Sequence, residues 1–255
     1  MPRSPTLREW LEEAPFALGM SSGFFGFFAH CGALTALEDA GLLPNRVSGS
    51  SAGALVAGVW ASGRDGPAIA RALFDLERRD FWDPWPGPGL LHGRRFAREL
   101  EALLGVCEFS ECRVPLTVSA FDSLRWKTRV LDDGLLAPAI RASCAVPFLF
   151  HPVWLDGRPH WDGGLSDRPG LAGVARGTRL LYHHLAARSP WRRRHSPGLR
   201  IPEREAMTTL VLDDLPRAGP FALAQGRRAF WAARAATIRA LDRTIRDNRV
   251  RLAAD

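Results

Sequence analysis

The stretch Arg46-Val-Ser-Gly-Ser-Ser-Ala-Gly-Ala-Leu-Val-Ala57 decides how the chain is organised. Residues 46–48 are typical of a short strand, and the small residues that run from Ser51 to Ala61 predict a helix. A glycine-flanked turn joins the two. Strand–turn–helix units of this kind build mostly parallel sheets covered by helices, so the stretch indicates the α/β class.

The rest of the chain repeats this alternation of strands and helices. A buried strand is predicted over 16–20 and a helix over 27–40, which Gly41 ends. Further strands are predicted over 114–121, 126–131, 153–155, 159–161, 179–185 and 208–213, and further helices over 66–79, 93–105 and 135–141. Apolar residues return to helical spacing in the last part of the chain. We expect one domain over 1–255, closed by a long C-terminal helix at about 220–254.

The composition is that of an ordinary globular protein. The chain has 255 residues, 46% hydrophobic and 24% charged, and its four cysteines are too few for a disulfide scaffold. No run approaches the roughly 18 apolar residues of a membrane span. Residues 1–10 lack the apolar core of a signal peptide. We expect a cytoplasmic protein, peripheral to a membrane at most, and leave its oligomeric state open.

The net charge of +7 comes almost wholly from 33 arginines, with a single lysine. Basic proteins bind nucleic acids or anionic membranes. The sequence has no zinc-finger spacing and no RNP-type motif, and its longest basic block is Arg192-Arg-Arg194, so no nucleic-acid partner is expected. A lipid or membrane-surface partner ranks above a nucleic acid, and a solvated basic surface is the simplest alternative to both.

Two loops are candidates for peripheral membrane contact and for control of access to a site. The first is the Pro/Gly-rich segment 81–91, because tryptophan favours the headgroup level of a bilayer. The second is the basic segment 187–205. Their candidate contact residues are Trp82, Trp85, Leu90 and Leu91 in the first loop and Arg188, Arg192, Arg193 and Arg194 in the second. Arginines of the C-terminal helix add to this surface, and packing beneath the sheet edge is the alternative for the tryptophans.

Gly49-Ser50-Ser51-Ala52-Gly53 fits the nucleophile motif G-x-S-x-G. The motif lies between a predicted strand and a predicted helix, where a sharp strand-to-helix turn exposes the serine hydroxyl. The turn is too tight for side chains at its flanks, which explains Gly49 and Gly53. Ser51 would project at the helix N-terminus, with its own amide and the next one directed at the reacting centre. A glycine-rich turn without chemistry is the alternative.

A serine hydroxyl needs a base, and the sequence offers two kinds. His183 or His184 follows Asp162 and would complete the order Ser, Asp, His of α/β-hydrolases. Alternatively, Asp162 acts directly on Ser51. It stands after a predicted strand in Trp161-Asp-Gly-Gly164, whose glycines allow another backbone to approach. A strand-end histidine pair and a turn aspartate are the structural alternatives.

An oxyanion hole is expected on the first strand–helix turn, at Ser22-Gly23-Phe24. Neighbouring parallel strands place such turns side by side, so these backbone amides would face the nucleophile. The alternative is a phosphate-binding loop, since Ser21-x-Gly23-x-x-Gly26 is half of a dinucleotide fingerprint. Its first glycine is missing, which argues against a nucleotide.

Four motifs in this order resemble those of the patatin-like phospholipase family, over about residues 15–215. The family's G-G-G-x-[RK]-G matches Ser21-Ser-Gly-Phe-Phe-Gly26, and its nucleophile motif matches Gly49–Gly53. Its A-S-x-A-x-P segment is similar to the run that begins at Ala142-Ser-Cys-Ala. Its D-G-[GA] motif matches Asp162-Gly163-Gly164.

The resemblance implies a three-layer α/β/α sandwich and hydrolysis of lipid acyl esters through an acyl-serine intermediate. It assigns Ser51 as nucleophile and Asp162 as base, with no catalytic histidine. It assigns the oxyanion hole to the amides of Ser22, Gly23 and Phe24. Gly26, Gly163 and Gly164 are its motif glycines, and it implies no metal and no organic cofactor.

Two departures from the family motif concern the oxyanion loop. Serines replace its first two glycines, and Phe25 stands where the family has a basic residue. The loss of that cation favours neutral or singly acylated lipids over highly charged ones. It also supports a second hypothesis, a catalytically weak lipid-binding or scaffolding protein of the same fold.

Overall fold

A nine-stranded sheet forms the centre of the computed structural model, which describes residues 3–186 and 200–253. Its strands are β1 (Ala17–Met20), β2 (Arg46–Ser50), β4 (Leu116–Asp122), β5 (Lys127–Leu131), β7 (Val153–Leu155), β8 (Arg158–Asp162), β9 (Leu180–Leu185), β10 (Met207–Asp213) and β11 (Arg249–Ala253). Their spatial order is β11-β10-β9-β1-β2-β4-β8-β7, with β5 also paired to β4. A separate ribbon pairs β3 (Gly89–Leu91) with β6 (Phe148–Phe150).

Every neighbouring pair from β11 to β4 is parallel, whereas β5, β7 and β8 pair antiparallel. Leu18 lies opposite both Val47 and Leu181, so β1 is flanked in register by β2 and β9. The carboxyl ends of these parallel strands meet at one edge of the sheet, where ligands bind in α/β folds. The predicted α/β class with a mostly parallel central sheet is confirmed.

The helices pack their apolar side chains against one face of the sheet. Leu18, Val47 and Leu181 belong to this core. The helices are α1 (Leu7–Glu13), α2 (Phe27–Asp39), α3 (Ala52–Ala61), α4 (Gly66–Asp75), α5 (Arg78–Phe81), α6 (Arg94–Leu103), α7 (Leu136–Ser143) and α8 (Ala224–Leu241). On the opposite face, Leu171 and Val174 cover the strands. Within the described residues, an irregular segment therefore forms this layer.

The C-terminal helix is shorter than the predicted 220–254. It ends at Leu241, and the chain then forms β11, which pairs parallel with β10 at the sheet edge. Asp247 and Asn248 adopt positive φ angles, which turn the chain out of the helical path into the strand. Short polar side chains of this kind tolerate the left-handed region.

The structure describes the first of the two predicted surface loops but little of the second. In loop 81–91, Trp85 and Leu90 are exposed, Trp82 is partly buried and Leu91 is fully buried. Loop 187–205 lies largely outside the described residues, and so do Arg188, Arg192, Arg193 and Arg194. None of the helices that the structure describes is both long and apolar enough to cross a membrane.

Candidate active site

The nucleophile motif forms a strained turn between β2 and α3. Ser51 has φ +53° and ψ −119°, a backbone conformation that non-glycine residues rarely adopt. A Cβ at Gly49 would lie 2.5 Å from the carbonyl carbon of Gly53, and one at Gly53 would overlap the carbonyl oxygen of Met20. Close backbone approach therefore leaves no room for a side chain at either flanking glycine.

The Ser51 hydroxyl donates a hydrogen bond of 2.5 Å to Oδ2 of Asp162. Both side chains are buried. The other carboxylate oxygen, Oδ1, accepts the Gly164 amide at 2.8 Å. The Asp162 amide itself donates to the carbonyl of Ala145 at 2.9 Å, which fixes the end of β8. Asp162 is thus held with one oxygen on the serine, the geometry a general base needs.

Gly163 and Gly164 bring three parts of the fold together behind this pair. A Cβ at Gly163 would overlap the carbonyl oxygen of Ser119, and one at Gly164 would overlap Oγ of Ser22. The pair of glycines therefore lets the end of β8 lie directly against β4 and the first strand–helix turn. This is the physical reason for the D-G-G motif.

The amide of Ser51 is used inside the fold, contrary to the expectation that it faces the reacting centre. It donates to Oγ of Ser143 at 2.8 Å, and the Ser143 hydroxyl donates to the carbonyl of Ser119 at 2.7 Å. Ser143 was not among the predicted site residues. Its signal was present in the A-S-x-A-x-P segment, but only the folded chain places α7 behind the turn.

Removing this support should destabilise the turn. In Ser143→Ala, the buried amide of Ser51 loses its acceptor, and an unsatisfied buried donor costs about 1–3 kcal/mol. We expect the free energy of unfolding in urea to fall by that amount. Ser110→Ala, which alters an exposed serine, is the control and should change it by less than about 0.5 kcal/mol. Equal effects of the two substitutions would contradict the role given to Ser143.

Cys144 lies beside Ser51 but is not itself a candidate nucleophile. Its thiol donates to the carbonyl of Ser51 at 3.3 Å. Burial, and then the nearby Asp162 carboxylate, raise the pKa of this thiol well above its ordinary value. Cys144 therefore remains a neutral thiol, and thiolates rather than thiols are the reactive form.

The first strand–helix turn is anchored on both sides before it reaches the site. The hydroxyl of Ser21 accepts the Leu185 amide at 3.0 Å, and the amide of Ser22 donates to the carbonyl of Arg168 at 2.7 Å. Gly23 and Phe24 line the same cavity as Ser51. Of the three predicted oxyanion donors, Ser22 thus uses its amide within the fold, and Gly23 and Phe24 are the ones at the cavity wall.

A cavity of about 380 Å³ opens in front of Ser51. This volume is within the range of small-molecule sites, which are mostly apolar with a few placed polar groups. Its apolar walls include Phe24, Phe25, Phe27, Leu55, Leu73, Phe81, Phe96, Leu100, Leu149 and Phe150. The charged residues among its described lining are the carboxylates Asp75, Asp80 and Glu99, with no arginine or lysine.

Phe25 is held in the wall of this cavity by other aromatic rings. Its ring centroid lies 5.0 Å from that of Phe24, 5.3 Å from Phe27 and 5.9 Å from Phe81. Its φ of +54° is unusual for so bulky a residue. An apolar ring therefore occupies the place where the family motif has a cation.

A family model described as patatin-like phospholipase matches residues 18–174. The chain belongs to the patatin-like phospholipase family. An uncharacterized NTE family protein from Mycobacterium tuberculosis is 32% identical over 179 residues, which are 69% of this chain and 50% of that protein. Neuropathy target esterase sws of Drosophila sechellia is 24% identical over 174 residues, 64% of this chain and 12% of that protein.

The crystal structure of VipD from Legionella pneumophila has a similar fold, with a TM-score of 0.64. The match covers 89% of this chain and 67% of that chain at 15% identity. The chain spans about half the length of the first curated relatives it matches. The patatin-like assignment thus rests on the sequence match, and the VipD likeness bears on the fold alone.

The two histidines considered as bases lie away from the hydrogen-bonded pair Ser51 and Asp162. In the sheet, His183 is paired in register with Met20 of β1, which is paired in turn with Gly49 of β2. Two strand spacings, roughly 10 Å, therefore separate His183 from the nucleophile turn. His184 contacts the Tyr182 hydroxyl at 3.2 Å instead. The described geometry brings Asp162, and neither histidine, to Ser51.

His183 instead joins His30 in a buried polar network under the first strand–helix turn. Nε2 of His30 contacts the carbonyl of Ser21 at 2.7 Å, and Nδ1 contacts Nδ1 of His183 at 2.9 Å. The carbonyl requires the proton of His30 on Nε2, so Nδ1 of His30 accepts from His183. Burial lowers the pKa of His30 to about 4, that of His184 to about 3, and that of His183 well below its ordinary value. All three imidazoles are neutral at pH 7.

This network should make the fold labile to acid. Because the folded-state pKa values are depressed, the unfolded chain binds protons first as pH falls below about 6.5. Stability is then lost progressively down to about pH 4 for His30 and about pH 3 for His184. At pH 5, each such imidazole lowers the free energy of unfolding by on the order of 2 kcal/mol. His184→Gln should reduce the difference between urea unfolding at pH 7 and pH 5, and His151→Gln is the control.

The described residues contain no group of three or more histidine, cysteine, aspartate or glutamate side chains placed to bind a metal.

Proposed function

We propose that this protein hydrolyses acyl esters of lipids through an acyl-serine intermediate, with Ser51 as nucleophile and Asp162 as base. The observation that carries the proposal is the 2.5 Å hydrogen bond from Oγ of Ser51 to Oδ2 of Asp162 at the wall of an apolar cavity. Membership of the patatin-like phospholipase family supports the reaction class.

In the proposed reaction, Oγ of Ser51 attacks the ester carbonyl as its proton passes to Oδ2 of Asp162. The negative charge on the carbonyl oxygen is met by backbone amides of the Gly23–Phe24 turn and by the N-terminus of α3. The tetrahedral intermediate then collapses, the ester C–O bond breaks, and the leaving alcohol takes the proton from Asp162. A water molecule next attacks the acyl-serine, Asp162 accepts its proton, and Ser51 recovers it as the fatty acid leaves.

The cavity supports a lipid acyl chain as the group transferred. Each buried methylene contributes about 0.8 kcal/mol of transfer free energy, so an aromatic and aliphatic wall favours a hydrocarbon chain over a polar acyl group. The second candidate, a weakly catalytic lipid-binding protein, is supported by the same cavity together with the altered oxyanion loop, in which the Ser22 amide is already bonded to Arg168.

Labelling with a fluorophosphonate probe tests the dyad. We expect labelling of the wild-type protein, its loss in Ser51→Ala, and a labelling rate at least about 100-fold lower in Asp162→Asn, the usual scale of a general base. Ser50→Ala is the matched control, because it removes a neighbouring serine whose buried hydroxyl has no hydrogen-bond partner among the described residues. His183→Gln should keep its labelling.

Each contrary result of the labelling experiment favours a different alternative. A folded wild-type protein that binds lipid without labelling would favour the lipid-binding candidate. Loss of labelling in His183→Gln, with thermal unfolding unchanged, would favour a histidine base. Full labelling of Asp162→Asn would contradict the proposed dyad.

We infer that the site prefers acyl esters without negative charge near the bond cleaved. Phe25 replaces the basic residue of the family motif, and the charged residues in the described lining, Asp75, Asp80 and Glu99, are all acidic. Carboxylates in a cavity that excludes water repel an anionic headgroup more strongly than they would in bulk solvent.

Restoring the cation should change this preference. In Phe25→Arg, we expect the ratio of phosphatidylglycerol hydrolysis to diacylglycerol hydrolysis to rise at least about fivefold, which corresponds to ~1 kcal/mol of added charge attraction. Phe25→Leu loses the same aromatic contacts without gaining a charge, so the comparison of the two variants isolates the cation. An equal ratio in both would contradict the inference.

A further inference from the structure

We propose that the β3–β6 ribbon and the first turns of α6 form a docking surface for an anionic lipid bilayer, with the cavity mouth beside it. The docking surface comprises Trp85, Leu90, Phe148, Arg94, Arg95 and Arg98. The proposal builds on the proposed lipid hydrolysis, because it states how the enzyme would reach a substrate that resides in a membrane.

The apolar part of the docking surface is exposed although it consists of large side chains. Trp85 is 63% exposed, Leu90 49% and Phe148 87%. The amide of Trp85 donates to the carbonyl of Leu90 at 3.1 Å, and Gly89 is paired with Phe148 in the ribbon. Trp85 and Leu90 are therefore neighbours across this turn, and Phe148 lies on the adjoining strand of the ribbon. Exposed apolar patches of this kind mark interaction sites.

The backbone of Phe148 is strained, and its exposed side chain makes few packing contacts that would offset the strain. Its φ is +66°, which is a genuine outlier for a bulky residue, yet its ring packs against little of the fold. Strain of this kind is characteristic of functional positions. The next two residues, Leu149 and Phe150, line the cavity. Strand β6 thus presents one aromatic ring to solvent and two apolar side chains to the substrate site.

The cationic part of the docking surface adjoins the apolar part. Trp85, Arg94, Arg95 and Arg98 line one concavity of about 200 Å³. Asp83 is the carboxylate in this concavity, and its oxygens accept the amides of Gly93, Arg94 and Arg95 at 3.0, 2.8 and 3.1 Å. Its negative charge is therefore directed at the start of α6, which leaves the guanidinium groups of Arg94 and Arg98 to face an anionic ligand. The guanidinium of Arg95 adds its positive charge while it donates to the carbonyl of Arg79 at 2.7 Å.

This combination fits a bilayer interface. Tryptophan favours the headgroup level, and arginine side chains are attracted to anionic lipid. Helix α6 also lines the catalytic cavity through Phe96, Leu100 and Leu103. An acyl chain that leaves the bilayer at the docking surface would therefore meet apolar side chains along its path to Ser51.

Vesicle partitioning of the full chain carrying Ser51→Ala tests the docking surface without product formation. Vesicles of phosphatidylcholine, with and without phosphatidylglycerol, are the probe. We expect Arg94→Gln/Arg95→Gln/Arg98→Gln to lower partitioning onto the anionic vesicles on the order of 100-fold, since each arginine contributes about fivefold. Partitioning onto pure phosphatidylcholine should change little.

The control for charge is Arg176→Gln/Arg243→Gln/Arg246→Gln, which removes the same net charge. These exposed arginines precede β9 and β11 and so lie at the sheet edge opposite Ser51. We expect this variant to retain nearly all of the partitioning. An equal loss in the two triple variants would overturn the proposal, because it would show that net charge alone attracts the protein.

A pair of leucine substitutions tests the apolar part of the docking surface. Leu90→Ser should lower partitioning onto both kinds of vesicle about tenfold, the scale expected for one leucine that leaves an apolar phase. Leu43→Ser, at a leucine that is 57% exposed before β2, should have no effect. Unchanged partitioning in both Leu90→Ser and the Arg94, Arg95 and Arg98 variant would overturn the proposal and would favour an acidic protein partner at this surface.

Hydrolysis of a soluble short-chain ester separates this proposal from the proposed function. In a background with Ser51 intact, the docking-surface variants should hydrolyse that ester at the wild-type rate. Failure of the wild-type protein to hydrolyse it would count against the serine dyad, while the partitioning result, measured with Ser51→Ala, would still support or overturn docking.

Discussion

The hydrogen bond between Ser51 and Asp162 depends on one constraint, the positive φ of Ser51 at the end of β2. That conformation exists because Gly49 and Gly53 allow α3 to begin directly against β1. The parallel pairing of β1, β2 and β4 then sets where the serine stands, and the β8 hairpin delivers the carboxylate from the antiparallel side of the sheet. A strained turn of this kind persists only where the surrounding structure holds it, and here the backbone of β1 and the Ser143 hydroxyl do so behind Ser51.

Neutral polar networks hold this arrangement in place. The Ser143 hydroxyl accepts the amide of Ser51 from behind, while His30 and His183 hold the start of the first strand–helix turn through the carbonyl of Ser21. Buried polar groups stabilise a unique geometry when their partners are present and are costly when they are not. His30 and His183 thus support the site structurally, and the same burial that keeps them neutral is the reason to expect acid sensitivity in this part of the fold.

The features that the sequence predicted best have local signals. Alternation of strands and helices, the glycine-flanked serine and the short strands at 153–155 and 159–161 each depend on residues close in the chain. Strand β11 was misread as helix because a five-residue edge strand after a long helix leaves too short a pattern. The β3–β6 pairing joins segments far apart in sequence, and the use of the Ser22 amide by Arg168 depends on tertiary contact. Neither leaves a local trace.

Helix α6 explains how a basic protein can have an acidic and apolar substrate cavity. Arg94 and Arg98, four residues apart, share one side of the helix, whereas Phe96, Leu100 and Leu103 face the cavity. Glu99 lies at the boundary between the two sides. Positive charge is therefore placed where a membrane would be met and is absent from the described lining where the ester would be cleaved. Attraction to an anionic surface and selection of an uncharged ester can then operate on the same helix without opposing each other.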